Sequence, residues 1–273
     1  MVTTTPAQSP SDRAARRIAV LHPGRMGAAV ARALRLAGHE VGWVPEGRSE
    51  GTRRRALEAG LTAVTSASEL ASYDVVVSLC PPDAALETAR GLHGFTGLYV
   101  DANAVSPDTA RAVASTVRDR GAEHVDAAVV GPPPVTAGST RLYLSGRRAT
   151  EVAGLFADTP VQPVVLDGDD VAASALKMAY AAWTKITAAL LVGVDDTARA
   201  LGVEEALRAE WALSQPELAS RLTAARESAV TKGWRWTGEM HEIGRTLSAA
   251  GTPTGFADGA AEVFARWPRP QEG

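Results

Sequence analysis

The chain has 273 residues, 45 % hydrophobic and 22 % charged, with a formal net charge of −3. That balance suits a globular enzyme of one large or two modest domains; it offers neither the basic excess that holds nucleic acid nor an acidic tail. The lone cysteine, Cys80, excludes an internal disulfide framework and fits a reducing compartment, the cytoplasm.

Residues 1–16 (MVTTTPAQSPSDRAAR) are rich in Thr, Ser, Pro and Ala and lack the apolar core of a secretory signal, so a disordered terminus is expected. From residue 17 short apolar runs alternate with helical segments. The runs are 17–22 (RIAVLH), 40–44, 74–79, 97–102, 123–130, 142–145 and 161–166. Strands alternating with helices predict a parallel, doubly wound sheet of Rossmann type over residues 17–168. Ligands bind such sheets outside the carboxyl ends of the strands, so the loops there are the site candidates.

The first of these loops reads His22-Pro23-Gly24-Arg25-Met26-Gly27. It is a G-x-G-x-x-G fingerprint whose first glycine is His22. Gly24 would let backbone approach a pyrophosphate, and Gly27 would let the helix pack on the strand. Pro23, its φ near −65°, would shape the turn that the lost glycine normally makes. At the end of the second run Pro45 stands where a ribose-binding acid is expected, and Arg48 and Ser49 suit a phosphate. NADP is therefore favoured over NAD. Cys80-Pro81-Pro82 forms a rigid loop with no specific base to activate the thiol. Asn103 stands where an amide could reach nicotinamide or ribose, or could simply make a turn before Ser106-Pro107. Gly131-Pro132-Pro133-Pro134 is a stiff loop that could wall a substrate pocket.

Residues 169–201 predict one long interdomain helix, apolar nearly all round from Val171 to Val194 and so expected to be buried on most faces. Asp169 and Asp170 are its candidate N-caps. Lys177 and Lys185 interrupt the apolar run. Each would cost about 2.5–3.5 kcal/mol at a bilayer centre, which argues against a membrane span. A buried ammonium needs a partner or a chemical role, and for Lys177 both readings stand: an ion-paired or snorkelling lysine, or a proton donor. Helices are expected at 204–210, 215–227, 236–249 and 256–266, in an all-α domain over residues 169–273. Trp236, Met240, Ile243 and Leu247 should face a core. Core packing is the default for Trp183, Trp211, Trp234, Trp236 and Trp267, and solvated helix charge for Glu239, His241 and Glu242.

These segments resemble the β-hydroxyacid dehydrogenases, the group that includes 3-hydroxyisobutyrate and 6-phosphogluconate dehydrogenases. PGRMG resembles the family's glycine loop. Residues 101–107 (DANAVSP) resemble its segment beside the nicotinamide, and Asp126–Gly131 its substrate segment, with Val130 in place of a serine. Leu176-Lys177-Met178 falls on its catalytic lysine, with Ala181 where a partner asparagine is usual. Residues 233–246 look distinctive of a less characterised branch with its own helical domain. The resemblance implies a dehydrogenase with Lys177 as proton donor and acceptor, and cofactor contacts from the 22–27 loop, Arg48, Ser49, Cys80, Pro81, Pro82 and Asn103. It implies substrate contacts from Val130, Gly131, Trp234 and Trp236, no metal, and a homodimer through the helical domain. Glu239 or His241 would then lie near a neighbouring site. Two alternatives are an imine reductase using Tyr180 as a neutral donor, and a non-catalytic NADP-binding sensor.

Overall fold

The computed structural model describes residues 14–268. The expectation for residues 1–16 falls mostly outside them.

Eight strands form one sheet in the order β3-β2-β1-β4-β5-β6-β7-β8. They are β1 (Arg17–Val20), β2 (Glu40–Trp43), β3 (Thr62–Ala63), β4 (Val75–Ser78), β5 (Leu98–Asp101), β6 (Glu123–Val130), β7 (Thr140–Ser145) and β8 (Val161–Val165). All neighbours pair parallel except β6 with β7. The central strands VVVS and LYVD are buried throughout, as a sheet covered on both faces requires. Alternate residues of β1 join opposite cores, Ile18 and Val20 on one face and Ala19 on the other, where Leu21 follows just beyond the strand. The helices among the strands are α1 (Arg25–Leu36), α2 (Glu50–Glu58), α3 (Ala85–Arg90), α4 (Pro107–Arg118) and α5 (Ala149–Leu155). Ser106 caps α4 by accepting from the Thr109 amide at 3.3 Å, with Pro107 in the first turn. The chain reverses its direction of winding between β1 and β4, which are neighbours, and the carboxyl ends of the strands at such a switch point are where doubly wound sheets bind ligands.

A helical part follows: α6 (Ala172–Ala200), α7 (Glu204–Ser214), α8 (Leu218–Ala249) and α9 (Gly255–Ala265). The 29 residues of α6 span about 43 Å. This helix packs on β6 at its start and on α8 and α9 further along. Its surroundings differ from expectation. Tyr180, Trp183, Leu190 and Val194 are 47, 66, 64 and 39 % exposed, so one apolar face is uncovered in the single chain. Neither Asp169 nor Asp170 is the N-cap residue, although Asp169 Oδ1 accepts from the Val171 amide at 3.3 Å just before the helix. The residue before α6 is Val171, which makes no side-chain cap bond, and the two aspartates are drawn to Arg111 and Arg118 of α4.

The two helices expected at 215–227 and 236–249 are one continuous 32-residue helix, α8. The intervening polar residues and Gly233 hide its periodicity. A Cβ at Gly233 would lie 3.3 Å from Trp267 Cβ, so the glycine serves close packing inside the helix. Trp236, Met240 and Ile243 are buried, with Trp236 edge-on to Phe264 at 4.8 Å between ring centroids. Trp183, by contrast, is no core residue. Among the described residues no helix is long and apolar enough to cross a membrane.

Candidate functional site

The loop after β1 turns tightly: the Gly24 amide donates to the His22 carbonyl at 2.7 Å. A Cβ at Gly27 would collide with that carbonyl oxygen, whereas one at Gly24 would meet nothing within 4 Å. Gly27 thus packs α1 onto the strand, and Gly24 borders open space. α1 has no side-chain cap and no acid in its first turn, so its leading N–H groups and positive end are left for an anion. His22 Nδ1 and Arg48 Nε are buried without a hydrogen-bond partner among the described residues. Burial, then the charge of Arg48, lowers the His22 pKa to about 4, so the ring is neutral near pH 7. Burial lowers Arg48 as well. The open cradle at Gly24 and these unspent polar atoms fit a dinucleotide. Ser49 caps α2 through its Oγ, 3.3 Å from the Thr52 amide.

Asn103 is placed differently from expectation. It is buried, and its amide oxygen accepts from the Cys80 amide at 2.6 Å while its nitrogen donates to Asp101 Oδ1 at 2.7 Å and Ser78 Oγ at 3.1 Å. The side chain is spent on bracing the Cys80-Pro81-Pro82 loop and has no amide face left for a ligand. Cys80 itself is buried, and burial raises its thiol pKa, as befits a structural cysteine.

Lys177, on the second turn of α6, points back onto β6, where Nζ donates to the Val129 carbonyl at 2.9 Å. Burial first, then Lys185 and Arg235 working against Glu239, brings its pKa down to about 8. Lys185 pairs with Glu239 at 2.7 Å, the two side chains 12 and 9 % exposed, and its ammonium lies 5.7 Å from the Trp236 ring centroid. Glu239 and Glu242 are therefore buried, not solvated. Glu242 accepts from the Ser106 amide at 2.7 Å and Thr109 Oγ1 at 2.9 Å, fastening α8 to the start of α4. Composition and spacing hid both glutamates, because Lys185, Ser106 and Thr109 lie on distant segments.

Other expected site residues are scattered. Tyr180 stands on the uncovered face of α6. Val130 is 3 % exposed, so its side chain packs into protein instead of facing a ligand. Gly131 has φ 120°, and a Cβ there would strike the Ser139 carbonyl oxygen, which explains the glycine by backbone geometry. Trp236 belongs to the helical core, Trp234 is half-buried and His241 is exposed.

Residues 17–152 match the NAD-binding domain of 6-phosphogluconate dehydrogenase. The amino-terminal half of the chain is an NAD-binding domain of that family. Residues 198–267 match a domain of unknown function, DUF1932. An uncharacterised 28.5 kDa protein of Methanothermus fervidus is 30 % identical over 171 residues, 62 % of this chain and 65 % of that protein. The alignment thus spans just under two thirds of that relative. A conserved protein of unknown function, described as structurally similar to 3-hydroxyacid dehydrogenases, is 29 % identical with a TM-score of 0.68, over 92 % of this chain and 96 % of that one. The 3-hydroxyisobutyrate dehydrogenase of Mycobacterium tuberculosis, in a structure with L-serine, shares the fold at 19 % identity and a TM-score of 0.68, over 93 and 94 % of the two chains.

Proposed function

We propose that this NAD-binding domain and the helices behind it form an NADP-linked oxidoreductase, acting on a carbonyl or its alcohol, with Lys177 as the proton-handling group. The observation that carries this reading is a half-buried ammonium held on the Val129 carbonyl, with a pKa brought down to about 8. The nicotinamide, when bound, would supply or accept the hydride. The N–H groups at the start of α1 would hold the pyrophosphate over Gly24, and Arg48 would meet the phosphate that distinguishes NADP. Lys177 Nζ would give its proton to a carbonyl oxygen as negative charge gathers there; in the reverse direction the neutral amine would take it back. A donor with a pKa this near neutrality serves either direction.

Lys177 also favours a carbonyl over an iminium, since a cation beside a cation is repulsive. The imine alternative relies on Tyr180, whose phenol lies on the uncovered face of α6. We assign that face to a homodimer. Tyr180, Trp183, Leu190 and Val194 are three, seven and four residues apart, spacings that keep them on one face as a helix–helix seam requires. A cytoplasmic setting belongs to the same reading and rests on the lone cysteine.

The test is Lys177→Met assayed against a panel of carbonyls, with NADPH affinity followed by its fluorescence. Turnover should vanish while NADPH affinity stays within about twofold. Turnover that survives would remove Lys177 from the chemistry, and a wild type that binds NADPH tightly but turns over nothing on the panel would favour the sensor.

A further inference from the structure

The first turn of α6 is capped from the sheet, because Val171 offers no side-chain acceptor. Ser174 N donates to Asp126 Oδ2 at 2.7 Å, and Ser174 Oγ to Asp126 Oδ1 at 2.6 Å. Ala173 N donates to Ser145 Oγ at 3.0 Å. That hydroxyl lies 3.1 Å from Asp126 Oδ2 and 3.2 Å from the Asp170 carbonyl, and completes the cluster. Asp126, Ser145 and Ser174 are all fully or almost fully buried. Three residues further along both elements comes the second attachment, Lys177 Nζ on the Val129 carbonyl. Strand and helix thus meet at Asp126–Ser174 and again at Val129–Lys177, with the same offset in sequence.

Residues three apart on a helix share a face and differ by less than one turn. Fixing Ser174 therefore fixes both the rotation of α6 and its position along its own axis where Lys177 leaves the backbone. The carboxylate is also an expensive way merely to cap a helix. It is buried opposite a second buried carboxyl, Asp101, across the β5–β6 pair. A hydroxyl or amide would satisfy the Ser174 amide without burying a charge. What the carboxylate adds is two acceptor oxygens that bind backbone and side chain of the same residue, which removes rotational slack. A proton donor needs that, because small displacements of a reacting group are costly.

We infer that Asp126, with Ser145, is the positioning residue for Lys177, a clamp that sets where the ammonium sits. This rests on the reading of Lys177 as the proton-handling group, and its test needs no substrate. The rate of acylation of each lysine by acetic anhydride is measured against pH by peptide mass spectrometry, with Lys185 as the internal reference for general loosening. In the wild type Lys177 should titrate near 8. In Asp126→Ala its midpoint should rise by about one pH unit or more toward an ordinary amine, with Lys185 unchanged. Asp126→Asn, which keeps an oxygen for the Ser174 amide, should restore most of the wild-type profile. A Lys177 profile unmoved in Asp126→Ala, or a shift shared by Lys185, overturns the inference. If Asp126→Ala does not fold, Ser145→Ala/Ser174→Ala is read by the same criteria. Failure of the parent reading looks different: Lys177→Met would keep turning over, whatever the acylation profile.

Discussion

Lys177 is costly to the fold. Its pKa is lowered from 10.5 to about 8, foremost by burial. Between those values the unfolded chain binds the proton and the folded chain does not, so this group's contribution to stability rises as pH climbs from about 8 to about 10.5. At pH 7 the half-buried charge costs on the order of 1–3 kcal/mol. Lys177→Met should therefore melt a few degrees higher than the wild type at pH 7 in a calorimeter while losing turnover. Carbonyl reduction, which needs the ammonium, should decline as pH rises through about 8, and alcohol oxidation should gain over the same interval. Arg48 makes its own claim at this scale. Arg48→Ala should weaken NADPH by about tenfold or more, the worth of a charge-assisted phosphate contact, and NADH by far less, as two fluorescence titrations would show. The glycines divide the work of the loop between them. Gly27→Ala drives a Cβ into backbone and should cost about 1–3 kcal/mol. Gly24→Ala should melt like the wild type yet bind NADPH more weakly, because its methyl occupies only the cradle.

At the scale of elements, two long helices carry the assembly. α6 leaves Tyr180, Trp183, Leu190 and Val194 in water. On the homodimer proposed above, that stripe is the seam of the pair. Trp183→Glu should convert a dimer to a monomer in light scattering behind a sizing column, with the helix content in circular dichroism unchanged; a wild type that runs as a monomer would dispose of the dimer. α8 ties the two parts together through Glu242. Burial alone would raise that carboxyl, but bonds from Arg245, Ser106 and Thr109 outweigh it and hold its pKa below 4.5. A carboxylate depressed in this way stabilises the fold above the ordinary carboxylate range and loses that effect as pH falls through its folded value. Glu242→Gln should thus cost about 1–3 kcal/mol at pH 7 and progressively less as the pH falls below the ordinary carboxylate range, measured by denaturant titration across that interval. The long helices also show where local pattern misleads: Gly233 and its polar neighbours look like a break in sequence, yet α8 runs through them, because the gap beside the glycine is filled by Trp267.

Over the whole molecule, the Rossmann-type sheet, the glycine loop, the long helix and the place of Lys177 on it were all legible in the chain. Each is written in local signals, either the alternation of apolar runs with amphipathic segments or a short loop whose glycines have steric reasons. The candidate site was legible only in part. Gly24, Gly27, Arg48 and Lys177 could be named from motif and neighbourhood, but the uses of Asn103, Asp126, Glu239 and Glu242 could not. The partners that decide those uses are distant: Cys80 lies 23 residues from Asn103, Ser174 lies 48 from Asp126, Ser106 lies 136 from Glu242, and Lys185, which pairs with Glu239, is on another helix. The sequence by itself determined the class of fold and the helix that bears the amine, since backbone sterics and hydrophobic periodicity act over a few residues. Only the tertiary structure decided that Asn103 braces a loop, that Val130 turns inward and that Lys177 rests on Val129. Burial and hydrogen bonding between distant segments exist only once the chain has closed on itself.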